Sequence, residues 1–373
     1  MSGGETQPLP ETILQFGCGN FLRAFADLFV AQANREGQRV GRIIAVQSTG
    51  DDRAQALRAR ECAYHVAVRG FADGKVVDEV EWVDSISRVI VAHQEWEAFL
   101  ETASLPSLRW IISNVTESGL KLDPADRLES KPPASFAAKL LLWLHQRWLQ
   151  GGSPVVIIPC ELVPKNGEVV RALVEQQAAL WKFPTPFLLW MNRECRWVNT
   201  LVDRIVSGRP ETHSLLEKDP LLLATEPFAL WVLEGEPLPG FPRHPAILFS
   251  ASVEDYKLRK LRILNGAHTA LVVKAMPLGI ETVRSAVEHP RVGAWLRELL
   301  FTEIVPVLED RVDQPREFAE QTLERFKNPY LHHKLSDIAK GHEQKIILRL
   351  KPTAEEYRLK FGREPALLTE LLR

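Results

Sequence analysis

Four short apolar runs in the first half of the chain most narrow its possible folds: Thr12-Ile-Leu-Gln-Phe16, Arg42-Ile-Ile-Ala-Val-Gln47, Arg109-Trp-Ile-Ile-Ser113 and Pro154-Val-Val-Ile-Ile158. Each is too short for a helix and too continuous for a strand with one wet face, so each reads as a strand buried on both sides. Between them lie segments of helical spacing: residues 20–35, with Phe21, Phe25, Leu28 and Phe29 in phase, and residues 53–60, 94–103 and 134–150. A hairpin over residues 64–69 and 76–83 turns at Asp73-Gly74. This alternation predicts an α/β fold, a mostly parallel sheet with helices on both faces.

A chain of 373 residues is too long for one ordinary core and predicts two domains. The strand pattern fades after about residue 235. The Pro- and Gly-rich residues 234–245 read as a connection, and residues 252–350 read as mostly helical. The expected domains are therefore 1–235, which is α/β, and 236–373, which is mostly α-helical. A composition of 45% apolar and 25% charged residues is that of a globular protein, and a net charge of −2 gives no field for nucleic acid or an anionic membrane. Cys18, Cys62, Cys160 and Cys195 are dispersed, with no metal-ligand spacing. They read as the reduced thiols of a cytoplasmic protein. The N-terminal MSGGETQPLPE has neither the basic region nor the apolar core of a signal peptide, and no apolar run reaches membrane-spanning length.

Gly17-Cys18-Gly19 ends the first strand and opens a helix, as a dinucleotide site requires. The first glycine allows the tight turn, the second lets a pyrophosphate approach the backbone, and the helix start offers free N–H groups. The third glycine of the usual GxGxxG is replaced by Leu22. After the second strand come Gln47, Ser48, Asp51, Asp52 and Arg53. The acids favour a free ribose and hence NAD, Arg53 leaves NADP open, and capping of residues 53–60 is an equal role for Asp51 and Asp52. Two further strand ends carry polar groups on the edge where such sheets bind ligands: Ser113-Asn114-Val115-Thr116-Glu117, and Pro159-Cys160-Glu161 followed by Lys165-Asn166-Gly167.

The other concentration of chemistry is Lys260, Asn265 and His268, inside a stretch from Tyr256 to Lys274 that otherwise reads as one buried helix. At about 100° per residue, Asn265 lies about 140° and His268 about 80° from Lys260, so the three border one side. Gly266 costs a helix about 1 kcal/mol relative to alanine, which implies close approach by another backbone or a ligand. The plainer reading makes Lys257, Arg259, Lys260 and Arg262 a solvated basic stripe.

Taken together, ILQFGCGNFLRAF (13–25), SNVTESG (113–119), IPCELVPKNG (158–167), TLVDRIVSGRP (200–210), YKLRKLRILNGAHTALV (256–272) and RFKNPYLHH (325–333) resemble the long-chain, metal-independent polyol dehydrogenases, the mannitol dehydrogenase family. The NGAHTAL context resembles its hexuronate branch. The resemblance implies a Rossmann-type N-terminal domain, a helical C-terminal domain and metal-independent catalysis in a cleft between them. It makes Lys260 the general acid/base, Asn265 and His268 its substrate-orienting partners, and Asn166 a group that polarises the reacting carbonyl. Asp203 falls in an element near the catalytic lysine. Gly17, Gly19, Asn20, Phe21, Ser113, Asn114, Thr116 and Glu117 fall to the cofactor, and Lys257 and Lys345 to the substrate.

The expected reaction interconverts a hexuronate ketone and its alcohol, tagaturonate and altronate, with NAD. Fructuronate or mannitol chemistry, or nucleotide binding without turnover, are the alternatives. Lysine is ordinarily protonated at neutral pH and ready as an acid, which suits reduction. For the substrate carboxylate, Lys257, Arg259, Arg262 and Lys345 stand equal. The chain stops at Arg373, short of the enzymes it resembles, so part of the helical domain is expected to be lacking.

Overall fold

In the computed structural model residues 8–372 are described; residues 1–7, on which most of the targeting expectation rests, and Arg373 lie outside them. The chain divides into two units. The first holds residues up to Ala67, Val80–Thr225 and Ala229–Ala251; the second holds Val68–Glu79, Glu226–Phe228 and the residues from Ser252 on.

The first unit begins β1 (Glu11–Phe16), α1 (Asn20–Arg23), α2 (Ala26–Arg35), β2 (Arg42–Gln47) and α3 (Asp52–Arg58). A hairpin, β3 (Tyr64–Ala72) and β4 (Lys75–Val83), follows the expected turn, and its outer part belongs to the second unit. Then come β5 (Ile86–Val91), α4 (Trp96–Glu101), β6 (Trp110–Ser113), α5 (Phe136–Leu149), β7 (Val156–Pro159), α6 (Asn166–Leu180), α7 (Thr185–Arg193) and β8 (Arg196–Trp197). Six strands form one sheet in the order β5-β2-β1-β6-β7-β8, parallel at every pairing. The chain leaves β1 on one side for β2 and on the other for β6, so the strand order reverses between β1 and β6, and open α/β sheets bind ligands at such a point. The sheet's core packs Phe16 edge-on against Phe99 and Phe136, with Trp143 fully buried nearby. Ser135 caps α5 by accepting from the Ala138 N–H at 3.3 Å.

Four departures from the sequence expectation are physical. Residues 20–35 are two helices, because Phe25 leaves helical geometry (φ −131°, ψ −92°) and lies among Phe21, Phe29 and Trp231. β5 was not anticipated, since Ser87 and Arg88 interrupt its apolar run. After β9 (Thr200–Asp203), β10 (Val206–Gly208), β11 (Leu223–Thr225) and β12 (Leu230–Glu234), a further strand, β13 (Ile247–Ser250), lies beyond residue 235, where the pattern was expected to fade. β12 pairs with β9 antiparallel and with β13 parallel, so the Pro- and Gly-rich residues 235–246 join neighbouring strands. Finally, residues 256–274 are not a uniform α-helix. α8 (Glu254–Arg259) passes through a π turn, Lys260–Leu264, into α9 (Asn265–Ala275).

The second unit packs around α9, whose residues Gly266–Val272 are all buried, as expected of a helix surrounded by others. The unit continues with α10 (Val283–Glu288), α11 (Pro290–Leu299), α12 (Val305–Leu308), α13 (Pro315–Phe326), α14 (Leu335–Ile338), α15 (His342–Arg349), α16 (Lys351–Phe361) and α17 (Ala366–Leu371), of which α10, α11, α14 and α15 pack directly on α9. Leu271, Leu296, Leu300, Leu308 and Leu350 meet in its core. Each large aliphatic side chain removed from water there contributes about 1.5–3 kcal/mol.

A Cβ on Gly266 would stand 3.6 Å from Leu350 and 3.8 Å from the Arg349 carbonyl, ordinary contact distances. The close approach inferred from the sequence is therefore that of α15, and it does not require glycine. Gly266→Ala is expected to raise stability by up to about 1 kcal/mol, read as a higher midpoint of thermal unfolding. A lower midpoint would show that the helix needs the space.

Candidate active site

In the first unit a cavity of about 600 Å³ opens beyond the carboxyl ends of β1, β2 and β6. Gly17, Gly19, Asn114 and Thr116 line it, with Gln47, Ser48, Asp52 and Arg53 from the end of β2. Gly17 adopts φ +119°, which a side chain strains to reach, and donates its N–H to the Val46 carbonyl at 2.9 Å. A Cβ on Gly19 would meet nothing within 4 Å, so this backbone is bare toward the cavity. These features fit a dinucleotide: a turn only glycine makes easily, an open backbone for the pyrophosphate, and an acid beyond β2. The helix opened by Gly17-Cys18-Gly19 is a single turn, however, so its dipole contribution is limited to that turn.

Asp51, at the N-cap of α3, makes no capping bond with its side chain. Asp51 accepts from Gln55 and Gln94, whereas Asp52 faces the cavity and accepts from Gln47 Nε2 at 3.1 Å. That bond, helped by the Arg53 backbone, holds the Asp52 carboxyl below its usual range. Arg53 reaches back to the Cys18 carbonyl at 3.4 Å.

The remaining cofactor expectations lie around the cavity without lining it. Asn20 accepts from Arg23, Phe21 stacks on Phe25, Ser113 is fully buried at the end of β6, and Glu117 is exposed. Lys121 and Lys139 line the cavity and were missed. Lys139 sits in an apolar helical run, its ammonium lowered by burial and bonded to the Ala134 carbonyl.

Asn166 is 1% exposed and its amide is engaged on both ends. Nδ2 donates toward the carbonyls of Pro159 and Glu161 and to Thr200 Oγ1, at 3.0–3.1 Å. Oδ1 accepts from the N–H groups of Gly167 and Thr200. To reach a substrate oxygen Asn166 has to exchange one of these bonds. Next to it Gly167 is required by space, since a Cβ would lie 2.6 Å from the Val198 backbone. Asp203 is buried at the end of β9, opposite Leu230.

The second unit carries Lys260, Asn265 and His268, all half-buried or buried. The π turn changes their geometry. The Asn265 N–H reaches back to the carbonyls of Leu261 and Lys260, four and five residues earlier. Asn265 thus comes round nearly above Lys260, closer than the uniform-helix angle allowed. The Asn265 side-chain amide has no hydrogen-bond partner among the described residues, unlike that of Asn166.

His268 lies against Phe326 (4.3 Å between centroids) and His333 (4.8 Å). Burial first, then the charges of His333, Arg325, Arg349 and Lys345, push His268 well below the usual histidine value, so it is neutral at pH 7. Phe326 and His333 fall in the RFKNPYLHH segment, whose resemblance was noted without a role for either. His333 is itself lowered by burial.

The expected basic stripe is not solvated. Arg259 is buried, bonded to the Asp313 carbonyl and stacked near Tyr256 and Phe318. Arg262 is buried and committed to Thr353 and Glu356. Lys257 pairs with Glu254 one turn back, and Lys345 donates to the Ile338 carbonyl at 2.7 Å. Among the described residues no helix is long and apolar enough to cross a membrane, and no group of three His, Cys, Asp or Glu side chains could hold a metal ion.

Comparison with known proteins matches both units. Residues 11–242 match the model of the mannitol dehydrogenase Rossmann domain, and residues 252–371 that of the mannitol dehydrogenase C-terminal domain. Altronate oxidoreductase of Bacillus subtilis is 41% identical, over 96% of this chain and 78% of its own. The enzyme of the same name from Halalkalibacterium halodurans is 37% identical, over 98% and 74%. Among solved structures, a substrate-free D-sorbitol dehydrogenase aligns with a TM-score of 0.83 at 22% identity, over 98% of this chain and 79% of its own. Pseudomonas fluorescens mannitol 2-dehydrogenase, in a ternary complex with NAD and D-mannitol, aligns with a TM-score of 0.71, also at 22% identity, over 97% and 78%. At that identity the two structures speak for the fold.

Proposed function

This chain belongs to the mannitol dehydrogenase family, and on that premise we propose that it is an NAD-dependent oxidoreductase reducing the hexuronate tagaturonate to altronate, without a metal. The observation that carries the reading is the unspent amide of Asn265, brought round by the π turn beside Lys260 and followed one helical turn later by a neutral, buried His268. Names and identities among the altronate oxidoreductases support the substrate, and Asp52 facing the cavity supports NAD over NADP.

When bound, the reduced cofactor supplies a hydride to the carbonyl carbon. The chain's own work concerns the oxygen. Lys260 gives its proton to that oxygen as the carbon–oxygen double bond becomes single. Asn265 donates an N–H to the same oxygen while negative charge builds there, a role worth about 3 kcal/mol where it has been measured. His268, being neutral, both donates and accepts, which suits holding a substrate hydroxyl. Gly17 and Gly19 leave the backbone clear for the pyrophosphate, and Asp52 takes the adenosine ribose. Asn166 acts through position, tying the end of β7 and the start of β9 to the start of α6.

The test is nicotinamide absorbance with purified protein, NADH or NADPH, and tagaturonate, fructuronate or fructose. Rapid NADH oxidation with tagaturonate and little with the others is expected. NADH binding with no oxidation of any ketone would refute the reading.

A further inference from the structure

A sugar acid differs from a polyol by one carboxylate, and a site that selects the acid needs a cation not already neutralised by the protein. Of the four cations the sequence offered, Arg259, Arg262 and Lys257 are engaged as described above. Arg325, close to His268, is engaged too, in a two-pronged pair with Glu226. The exceptions sit on α15, which packs directly on α9. Lys345 and Arg349 are one helical turn apart, and neither has a carboxylate within ion-pairing distance among the described residues.

Arg349 Nη1 lies 3.2 Å from Thr269 Oγ1 and 3.5 Å from the Asn265 carbonyl, so the guanidinium rests on the turn of α9 that carries the candidate catalytic amide. Its Nη2 and Nε make no bond among the described residues. The charges of Lys345 and Arg349 reach both His268 and His342, and the two ring nitrogens of His342 are buried without a partner. Two cations, an imidazole short of partners and no acid form an anion receptor waiting for its anion.

We propose that Arg349, with Lys345 beside it, holds the substrate carboxylate and thereby selects a sugar acid over a neutral polyol or ketose. The free edge of a guanidinium matches the two oxygens of a carboxylate, and the Thr269 hydroxyl fixes the other edge. Asn265 and Arg349 then grip opposite parts of one substrate, so binding the acid group also orients the reacting carbonyl. This specificity role rests on the hexuronate reading given above, but the anion receptor itself does not.

Two readouts separate these claims. In steady state Arg349→Gln is expected to raise KM for tagaturonate roughly 10- to 100-fold, with kcat and NADH affinity much less changed. The preference for tagaturonate over fructose should collapse by the same factor. Arg349→Lys, which keeps the charge but loses the fork, should fall between.

Independently of turnover, gluconate is expected to raise the thermal midpoint of the wild type, sorbitol is not, and the gluconate shift should vanish in Arg349→Gln. If no ketone is reduced, the hexuronate reading falls while the gluconate shift still reports on the receptor. Equal gluconate protection of wild type and Arg349→Gln would overturn the proposal, as would an unchanged preference between tagaturonate and fructose. Should Arg349→Gln fail to fold, Arg349→Lys carries the same comparison.

Discussion

Alanine at position 260 is expected to lower kcat for tagaturonate reduction by about 10²–10⁴-fold, the usual worth of a positioned general acid, while NADH binds as before. kcat and kcat/KM should fall together, because the proton is transferred only in the transition state. The substitution separates three roles that a lysine in this place can have. If Lys260 merely attracted an anionic substrate, KM would rise and kcat would stay. If it were structural, cofactor affinity and thermal midpoint would move with activity. Lys260→Arg sharpens the test, since a guanidinium keeps the charge yet does not give up its proton at any working pH. Activity in Lys260→Arg near that of the wild type would remove proton transfer from the role of Lys260 and leave electrostatics.

The parts of the fold that could be read from the sequence are those where one physical cause acts alone. β1, β2, β6 and β7 are apolar runs because a strand covered on both faces meets no water, and their ends fall close to the expected positions. β5 escaped because Ser87 and Arg88 sit where its run should be continuous. Ser87 is satisfied by Glu11 and the Ile43 carbonyl, and Arg88 lies along Glu11, so the polarity is absorbed by tertiary partners the sequence does not display. The π turn at Lys260–Leu264 leaves no compositional trace either, because its wider hydrogen-bond ladder uses the same residues an α-helix would.

In the candidate site, sequence spacing brings out Lys260, Asn265 and His268 because they share a helix. It cannot separate the open amide of Asn265 from the saturated one of Asn166, since that difference lies in Thr200 and the carbonyls of Pro159 and Glu161. Arg349 was out of reach for a related reason: it meets Asn265 across 84 residues of chain.

Glu226→Ala is expected to cost about 3–5 kcal/mol of stability, among the largest effects open to a single substitution in the second unit. Arg325 and Glu226 pair through two bonds, Nε to Oε2 at 2.9 Å and Nη2 to Oε1 at 2.7 Å, with side chains only 3% and 2% exposed. Removing the carboxylate takes both of these bonds from a guanidinium that is almost fully buried and stacked on Phe228 at 4.1 Å. The loss includes the cost of keeping that charge buried without its carboxylate, and this makes a second expectation testable. The double variant Glu226→Met, Arg325→Met should recover most of the stability, because apolar groups of similar size need no counter-charge. A urea titration of the wild type, the two single variants and the double variant closes the cycle and isolates the coupling.

Function is expected to follow a different order. Arg325 adjoins Phe326, against which His268 packs, and its charge is among those that keep His268 neutral. The double variant should therefore refold yet show a histidine that titrates closer to its usual value, visible as a raised apparent pKa in the low-pH limb of kcat/KM. A Glu226→Ala variant that loses less than about 1 kcal/mol would mean that water reaches Arg325 and that the pair is not the anchor its geometry describes.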